Sequence, residues 1–135
     1  MMQTIHGVRF RRGESLSTSS QKPRRGEVWT VDFDPTKGAE IQKRRPAIVI
    51  SSDAIAKLPL KLVAPVTNWN DAFEGNIWHV RLEPSNVNGL SKTSAADALQ
   101  VRSVSLDRFV SRLGRVSPQE LEDIVQALAA VVELS

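Results

Sequence analysis

The chain predicts a mainly β domain closed by one C-terminal α-helix. Three observations predict it. Short β-branched runs recur between Trp29 and Val116. Clusters of Pro, Gly, Asn and Asp separate them, as turns separate strands. The last segment changes period: Ser117-Pro118-Gln119-Glu120 has the form of a capping box with proline at the first helical position, and apolar residues follow at helical spacing.

Taken in order, Val28 to Phe33 alternates around Trp29, Val31 and Phe33, the pattern of a strand. Residues 34–45 read as a loop, marked by Asp34-Pro35 and Gly38. Ala47 to Ile50 is a compact apolar run, a buried strand that Pro46 opens. Leu62 to Thr67 is another. Its Pro65 has no N–H to give a ladder, which predicts a sheet edge or a bulge there. Asn68 to Gly75 is a polar loop carrying Trp69 and Phe73. Ile77, Trp78, Val80 and Leu82 mark a strand, and Glu83 to Lys92 a second loop. Ala98 to Val104 and Phe109 to Val116 read as two more strands about a Leu106-Asp107-Arg108 turn. Leu121, Ile124, Val125, Leu128, Val131, Val132 and Leu134 then supply the apolar stripe of the helix. Five to six strands and one helix fit a small, strongly bent sheet or barrel with the helix packed on it.

At 135 residues the chain is long enough for one domain with a real core. It has no cysteine, so disulfides, thiolate nucleophiles and cysteine-based zinc sites are excluded, and a reducing cytoplasm is the compartment that fits. No apolar run reaches the roughly 18 residues a membrane span needs, and no apolar signal-peptide core opens the chain. Charge is unevenly spread. Residues 1–25 carry six Lys/Arg and one acid, residues 26–116 twelve and ten, and residues 117–135 none and four. The sequence pI of about 9.7 therefore belongs mostly to the N-terminus. Residues 1–23 read as a flexible basic tail, whose Arg9, Arg11 and Arg12 are either solvated or in contact with nucleic acid, and residues 24–135 as the single folded domain. A polyanion site in that domain has to be a local patch.

Several residues in the domain have the chemistry for RNA. RNA carries its own nucleophile, the 2′-OH. Cleavage needs a proton acceptor, a cation for the charged phosphorane and a donor for the leaving 5′-oxygen. Arg45, held just before Pro46 at the mouth of a buried strand, offers a fixed donor fork suited to phosphate; a solvated basic turn is the plain alternative. Lys43 and Arg44 extend the positive charge. Thr67 ends a strand, where its hydroxyl either bonds a phosphate oxygen or merely completes a β-branched run. Alternation along Leu99 to Ser103 sends Leu99 and Val101 inward and leaves Gln100 and Arg102 on the other face, able to read a base edge and hold a phosphate, or simply solvated. Trp69 and Phe73 either stack unpaired bases or pack on the sheet. Of the two histidines, His6 lies in the tail and His79 sits mid-strand, which favours an ordinary strand residue. Asp32 and Asp34 have no histidine beside them, so a metal site is not indicated.

The order of these blocks resembles the MazF/PemK family of toxin endoribonucleases. The matching parts are Arg25 to Trp29 (R-G-E-V-W), Asp34 to Glu40 (D-P-T-K-G-x-E), Arg44 to Ser51 (R-R-P-A-I-V-I-S), Ala64 to Thr67 (A-P-V-T), Leu90 to Ser94 (L-x-K-x-S) and Leu99 to Phe109 (L-Q-V-R-S-V, then D-R-F). The resemblance implies an SH3-like barrel or bent antiparallel sheet with a C-terminal helix, and a homodimer. It implies metal-independent, cofactor-free cleavage of single-stranded RNA, usually mRNA, at short specific sequences, leaving 2′,3′-cyclic phosphate and 5′-hydroxyl ends. It makes Arg45 and Thr67 the catalytic pair, and Glu40, Gln100 and Arg102 substrate-binding or supporting residues, with Glu40 also a candidate proton acceptor. It implies a cognate antitoxin with an acidic, flexible tail. Two other functions sit beside this one: a DNA gyrase inhibitor like the CcdB toxins, and a non-catalytic SH3-like binding module. Both leave the R-P and V-T blocks without a role.

Overall fold

The computed structural model describes residues 22–33, 44–55 and 57–134. Nearly all of the expected tail, Glu40 and Lys43 lie outside the described residues. Seven strands and one α-helix are present among those described: β1 (Glu27–Asp32), β2 (Arg44–Val49), β3 (Leu60–Asn68), β4 (His79–Leu82), β5 (Ser94–Asp97), β6 (Arg102–Ser105), β7 (Phe109–Arg115) and α1 (Pro118–Val131). The strands pair antiparallel in the order β4-β5-β3-β2-β1-β7, and β6 also pairs with β3. No described pairing joins β4 to β7, so the sheet is bent but not closed.

The sheet is buried on both faces. Val28, Ile48, Ala64, Val66, Leu82 and Ala96 point to one side, where Ile124, Leu121 and Leu128 of α1 cover them. Trp29, Val31, Ala47, Val49, Val63 and Val104 point to the other, joined by Phe33 and Phe109. Neighbours in a strand face opposite ways. A strand with two apolar sides therefore has to read as a continuous apolar run, as Ala47 to Ile50 does. Two register shifts where β1 meets β7, at Val28/Trp29 and Thr30/Val31, add local bend and twist.

β3 is the hinge of this arrangement, and it corrects the expectation for Pro65. The strand is neither an edge nor bulged against β2. Ala47 pairs with Pro65, Ile48 with Ala64 and Val49 with Val63 on one side. On the other side β6 pairs with residues 60–63 and β5 with residues 66–68. Ala64 and Pro65 fall between those two partners, at the one place where a missing N–H costs that side no ladder bond.

The expected strand over residues 98–104 is broken. Asp97 accepts a bond from the Leu99 N–H at 3.0 Å and starts a 3₁₀ turn at Ala98–Gln100. A short strand, β5, precedes the turn in the stretch between the expected loop and the expected strand, and β6 follows it. The turn undoes the predicted alternation: Leu99 is 55% exposed rather than inward-facing. The strand expected from Ile77 begins only at His79, after a turn at Gly75 (φ +88°), and Ile77 is exposed.

The helix start is as read from sequence. Ser117 Oγ accepts the Glu120 N–H at 3.0 Å, and Glu120 Oε1 accepts the Ser117 N–H at 2.8 Å. Ile124 and Ala127 are buried. Val132 and Leu134 lie past the last helical turn and are exposed, because the chain leaves the helix at Val132 and takes a left-handed φ of 60° at Glu133. No helix among the described residues is long and apolar enough to cross a membrane.

Candidate functional site

Arg45 lies inside β2 rather than in the loop before it. It is paired with Val31 of β1, and its neighbour Arg44 with Asp32. Continuing the β2–β3 register two residues past Ala47↔Pro65 brings Arg45 level with Thr67. Alternation puts the two on one face: Arg45 with Ala47 and Val49, Thr67 with Val63. Directly opposed residues on antiparallel strands have Cβ atoms about 5 Å apart. A guanidinium and a hydroxyl on adjacent strands can thus reach one small anion together.

The electrostatics favour an anion. Arg44 and Arg45 are exposed, and neither has an ion-pair partner among the described residues. Thr67 is half-buried and faces Ala95 of β5, whose small side chain leaves its hydroxyl room. A pocket of about 300 Å³ borders Thr67 and Pro46; Val66, Leu90 and Leu113 line it, with Asn68, Ser91 and Lys92.

Other residues singled out in the sequence fall into separate places. Arg102 is on β6 opposite Val63, with its guanidinium carbon 5.3 Å from the Phe33 ring centroid. It lines a recess of about 110 Å³ with Asp32 and Arg108. Gln100 is exposed on the 3₁₀ turn, so it is not the face-mate of Arg102 on a single strand. Trp69 packs edge-on against Phe73, donates its Nε1–H to Asp71 at 3.1 Å and carries the Arg81 guanidinium 5.0 Å from its ring centroid. Phe73 in turn stacks on His79 at 3.8 Å between centroids. His79 is closed in on every side: Asn76 Nδ2 lies 3.2 Å from its Nδ1 and Asp97 Oδ2 3.7 Å from its Nε2. Beside this cluster Glu83 accepts from Thr93 and from Arg81, and those bonds hold its carboxyl below the ordinary carboxylate range. Among the described residues no group of three or more His, Cys, Asp or Glu is placed to hold a metal ion.

Sequence reasoning missed how the second loop is held. Asn88 is 2% exposed. Its Oδ1 accepts from the N–H groups of Ser85 and Leu90, and its Nδ2 donates to the Glu83 carbonyl. Gly89 has φ +71°, and a Cβ there would stand 2.1 Å from the Leu113 carbonyl oxygen; one on Gly114 would stand 2.2 Å from that of Val87. The loop and β7 are in backbone contact through two glycines. The Asn88-Gly89 pair was the available signal, since it marks a turn needing positive φ.

The model of a family described as PemK-like, MazF-like toxin of type II toxin–antitoxin system matches residues 24–132. The chain belongs to this family. The MazF/PemK assignment is reinforced by relatives. Endoribonuclease MazF9 of Mycobacterium tuberculosis is 36% identical over 118 residues, covering 82% of this chain and 97% of that protein. Endoribonuclease toxin ChpB of Escherichia coli is 34% identical over 113 residues, covering 81% and 93%. Among solved structures, MazE–MazF from Deinococcus radiodurans superposes with a TM-score of 0.67 at 25% identity, covering 84% of this chain and 98% of that one. A MazF/PemK fold thus accounts for the bent sheet and the terminal helix together.

Proposed function

We propose that this protein is the toxin of a type II toxin–antitoxin pair and acts in the cytoplasm as a sequence-specific, metal-independent endoribonuclease on single-stranded mRNA. The observation that carries the proposal is the cross-strand placement of Arg45 and Thr67 on one face, with the Arg45 charge unpaired among the described residues. In this reading Arg45 binds the scissile phosphate and stabilises the phosphorane, where a fixed guanidinium is worth most. Thr67 donates to a phosphate oxygen and orients the ribose. The 2′-oxygen loses its proton and bonds to phosphorus as the P–O5′ bond breaks. The products are a 2′,3′-cyclic phosphate and a 5′-hydroxyl, the 5′-oxygen taking up a proton. Arginine stays protonated and does not serve as the base; Glu40, from the family pattern, is the candidate acceptor. Arg44, Lys43, Arg102, Gln100 and Trp69 are proposed RNA contacts. The partners are a second copy of the chain and an antitoxin whose acidic flexible tail covers the basic face, a reading supported by the MazE–MazF structures that share the fold.

The test is cleavage of a long single-stranded RNA by purified protein in EDTA, beside Arg45→Ala. Discrete fragments with 5′-hydroxyl ends, absent with the variant, are expected. A folded wild-type protein that leaves diverse RNAs intact while inhibiting gyrase would replace this reading with the CcdB-like one.

A further inference from the structure

Arg108 belongs to the D-R-F block, yet the cleavage chemistry leaves it without a role. It lines the recess of about 110 Å³ between the end of β1 and β6, together with Asp32, Phe33, Arg102 and Val104. Two guanidinium groups meet one carboxylate among these residues, so the lining is positive. Asp107, beside Arg108 in the chain, is exposed and does not line the recess. Neither arginine side chain has a hydrogen bond or an ion pair among the described residues. The recess is below the size of sites that enclose a whole small molecule, and it suits one anionic group of a larger ligand.

Both arginines are held without using up their donors. Arg102 lies over the Phe33 ring, 5.3 Å from its centroid, a contact that occupies a face of the guanidinium and leaves its N–H edge available. Arg108 ends the 3₁₀ turn Leu106–Arg108, in which the Phe109 N–H donates to the Leu106 carbonyl and the Leu106 N–H to the Pro59 carbonyl at 3.0 Å. The recess is also on the side of the sheet that carries Arg45 and Thr67. Phe33 and Val104 pack in one apolar set with Ala47 and Val49, and alternation puts Arg45 with those two. Val31 pairs with Arg45 on one side and with Phe109, the residue after Arg108, on the other. Two strand spacings, about 10 Å, therefore separate the backbones of Arg45 and Phe109.

We propose that the recess holds a second phosphate of the RNA strand, near the scissile one, and that Arg108 and Arg102 supply its donors. The proposal rests on the endoribonuclease reading and deepens it. Arg45 acts on the phosphate that reacts, whereas Arg108 acts on one that does not. A paired guanidinium fork matches the oxygens of a phosphate. A phosphate carries charge but no base identity, so the recess contributes affinity and register and no sequence preference. The contact is the same before and during the reaction, so it acts on KM rather than kcat.

The experiment uses an RNA containing one cut site mapped for wild type, shortened by single nucleotides from either end. Values of kcat and KM are measured across a salt series for wild type, Arg108→Gln and Arg108→Lys, with a thermal melt of each. Wild type is expected to lose roughly tenfold in kcat/KM at the shortening step that removes the second phosphate. Arg108→Gln is expected to start roughly tenfold lower, through KM, and to be nearly indifferent to that step. Its plot of log kcat/KM against log salt should be shallower by about 0.7, the share of one phosphate contact on a single strand. Arg108→Lys should keep the wild-type slope, and all three proteins should cut at the same site. A wild type with no such step overturns the proposal whether or not the variants fold. So does a folded Arg108→Gln with wild-type KM and slope, a loss confined to kcat, or a shifted cut site. Inhibition by poly-glutamate that weakens in Arg108→Gln while its RNA kinetics stay wild-type would give the recess to an acidic peptide instead. Failure of folded wild type to cut any RNA would overturn the endoribonuclease reading itself.

Discussion

The strand end at Arg45 and the cluster around His79 contain comparable chemistry in opposite condition. His79 is the residue a chemist would first suspect in an RNA-cleaving protein, yet Phe73 stacks on its ring, Asn76 meets its Nδ1 and the Asp97 carboxylate stands 3.7 Å from its Nε2. Arg45 is a less versatile group, but it projects from a strand with no ion pair among the described residues, and the β2–β3 register, continued two residues, brings it level with the Thr67 hydroxyl. Saturated groups hold a fold together, and groups with unfilled bonding capacity on a rigid frame are free to act on a ligand.

The sharpest way to test that contrast is to remove each group in turn. Arg45→Ala should lower RNA cleavage at least 10²–10³-fold, the scale of losing one preorganised donor to the transition state. Its melting temperature should stay near that of wild type, since the side chain is exposed and packs little. Single-turnover cleavage alongside thermal unfolding checks both halves; a variant that cleaves normally would dissolve the contrast.

Gly89→Ala should be the most damaging change to the frame. It adds a Cβ 2.1 Å from the Leu113 carbonyl oxygen at a φ of +71°, and a loss of at least ~2 kcal/mol in urea unfolding is expected from strain and overlap together. His79→Ala should cost roughly 1–3 kcal/mol, because it empties a nearly closed site and strands the polar groups beside it. Cleavage by the folded fraction should persist. If folded His79→Ala protein is inactive, the histidine belongs to the chemistry and the comparison fails.

The smallest effect concerns Glu83. Its carboxyl is held below its ordinary value by the bonds from Thr93 and Arg81. A folded-state pKa below the unfolded one contributes stability that is present above the unfolded pKa and is lost as pH falls through the folded one. Glu83→Gln should therefore melt slightly below wild type at pH 7, and the gap should close as the pH falls below the ordinary carboxylate range. The side chain is exposed, so the shift in melting temperature should be small.

Some of this architecture was legible in the chain because local physics writes it there. The capping box at Ser117 needs only residues three apart, and the two-sided burial of β2 shows as an unbroken apolar run from Ala47 to Ile50. Arg45 and Thr67 were legible as a pair only through the order of the matched blocks, since nothing local in either residue distinguishes a site from a surface. Where alternation failed, at Leu99, a single side-chain bond from Asp97 outweighed strand propensity and turned the chain from β5 to β6.

The sequence by itself determined the class of the fold, its terminal helix, the absence of thiol chemistry and the family-ordered polar blocks. Those depend on composition and short-range spacing. Tertiary structure alone decided that Pro65 sits between two partners of one strand, that Arg45 and Thr67 share a face, that Gly89 and Gly114 lock the second loop onto β7, and that Asn68 and Lys92 meet at one pocket. Each is a contact between residues far apart in the chain, and it exists only once the strands have found their register.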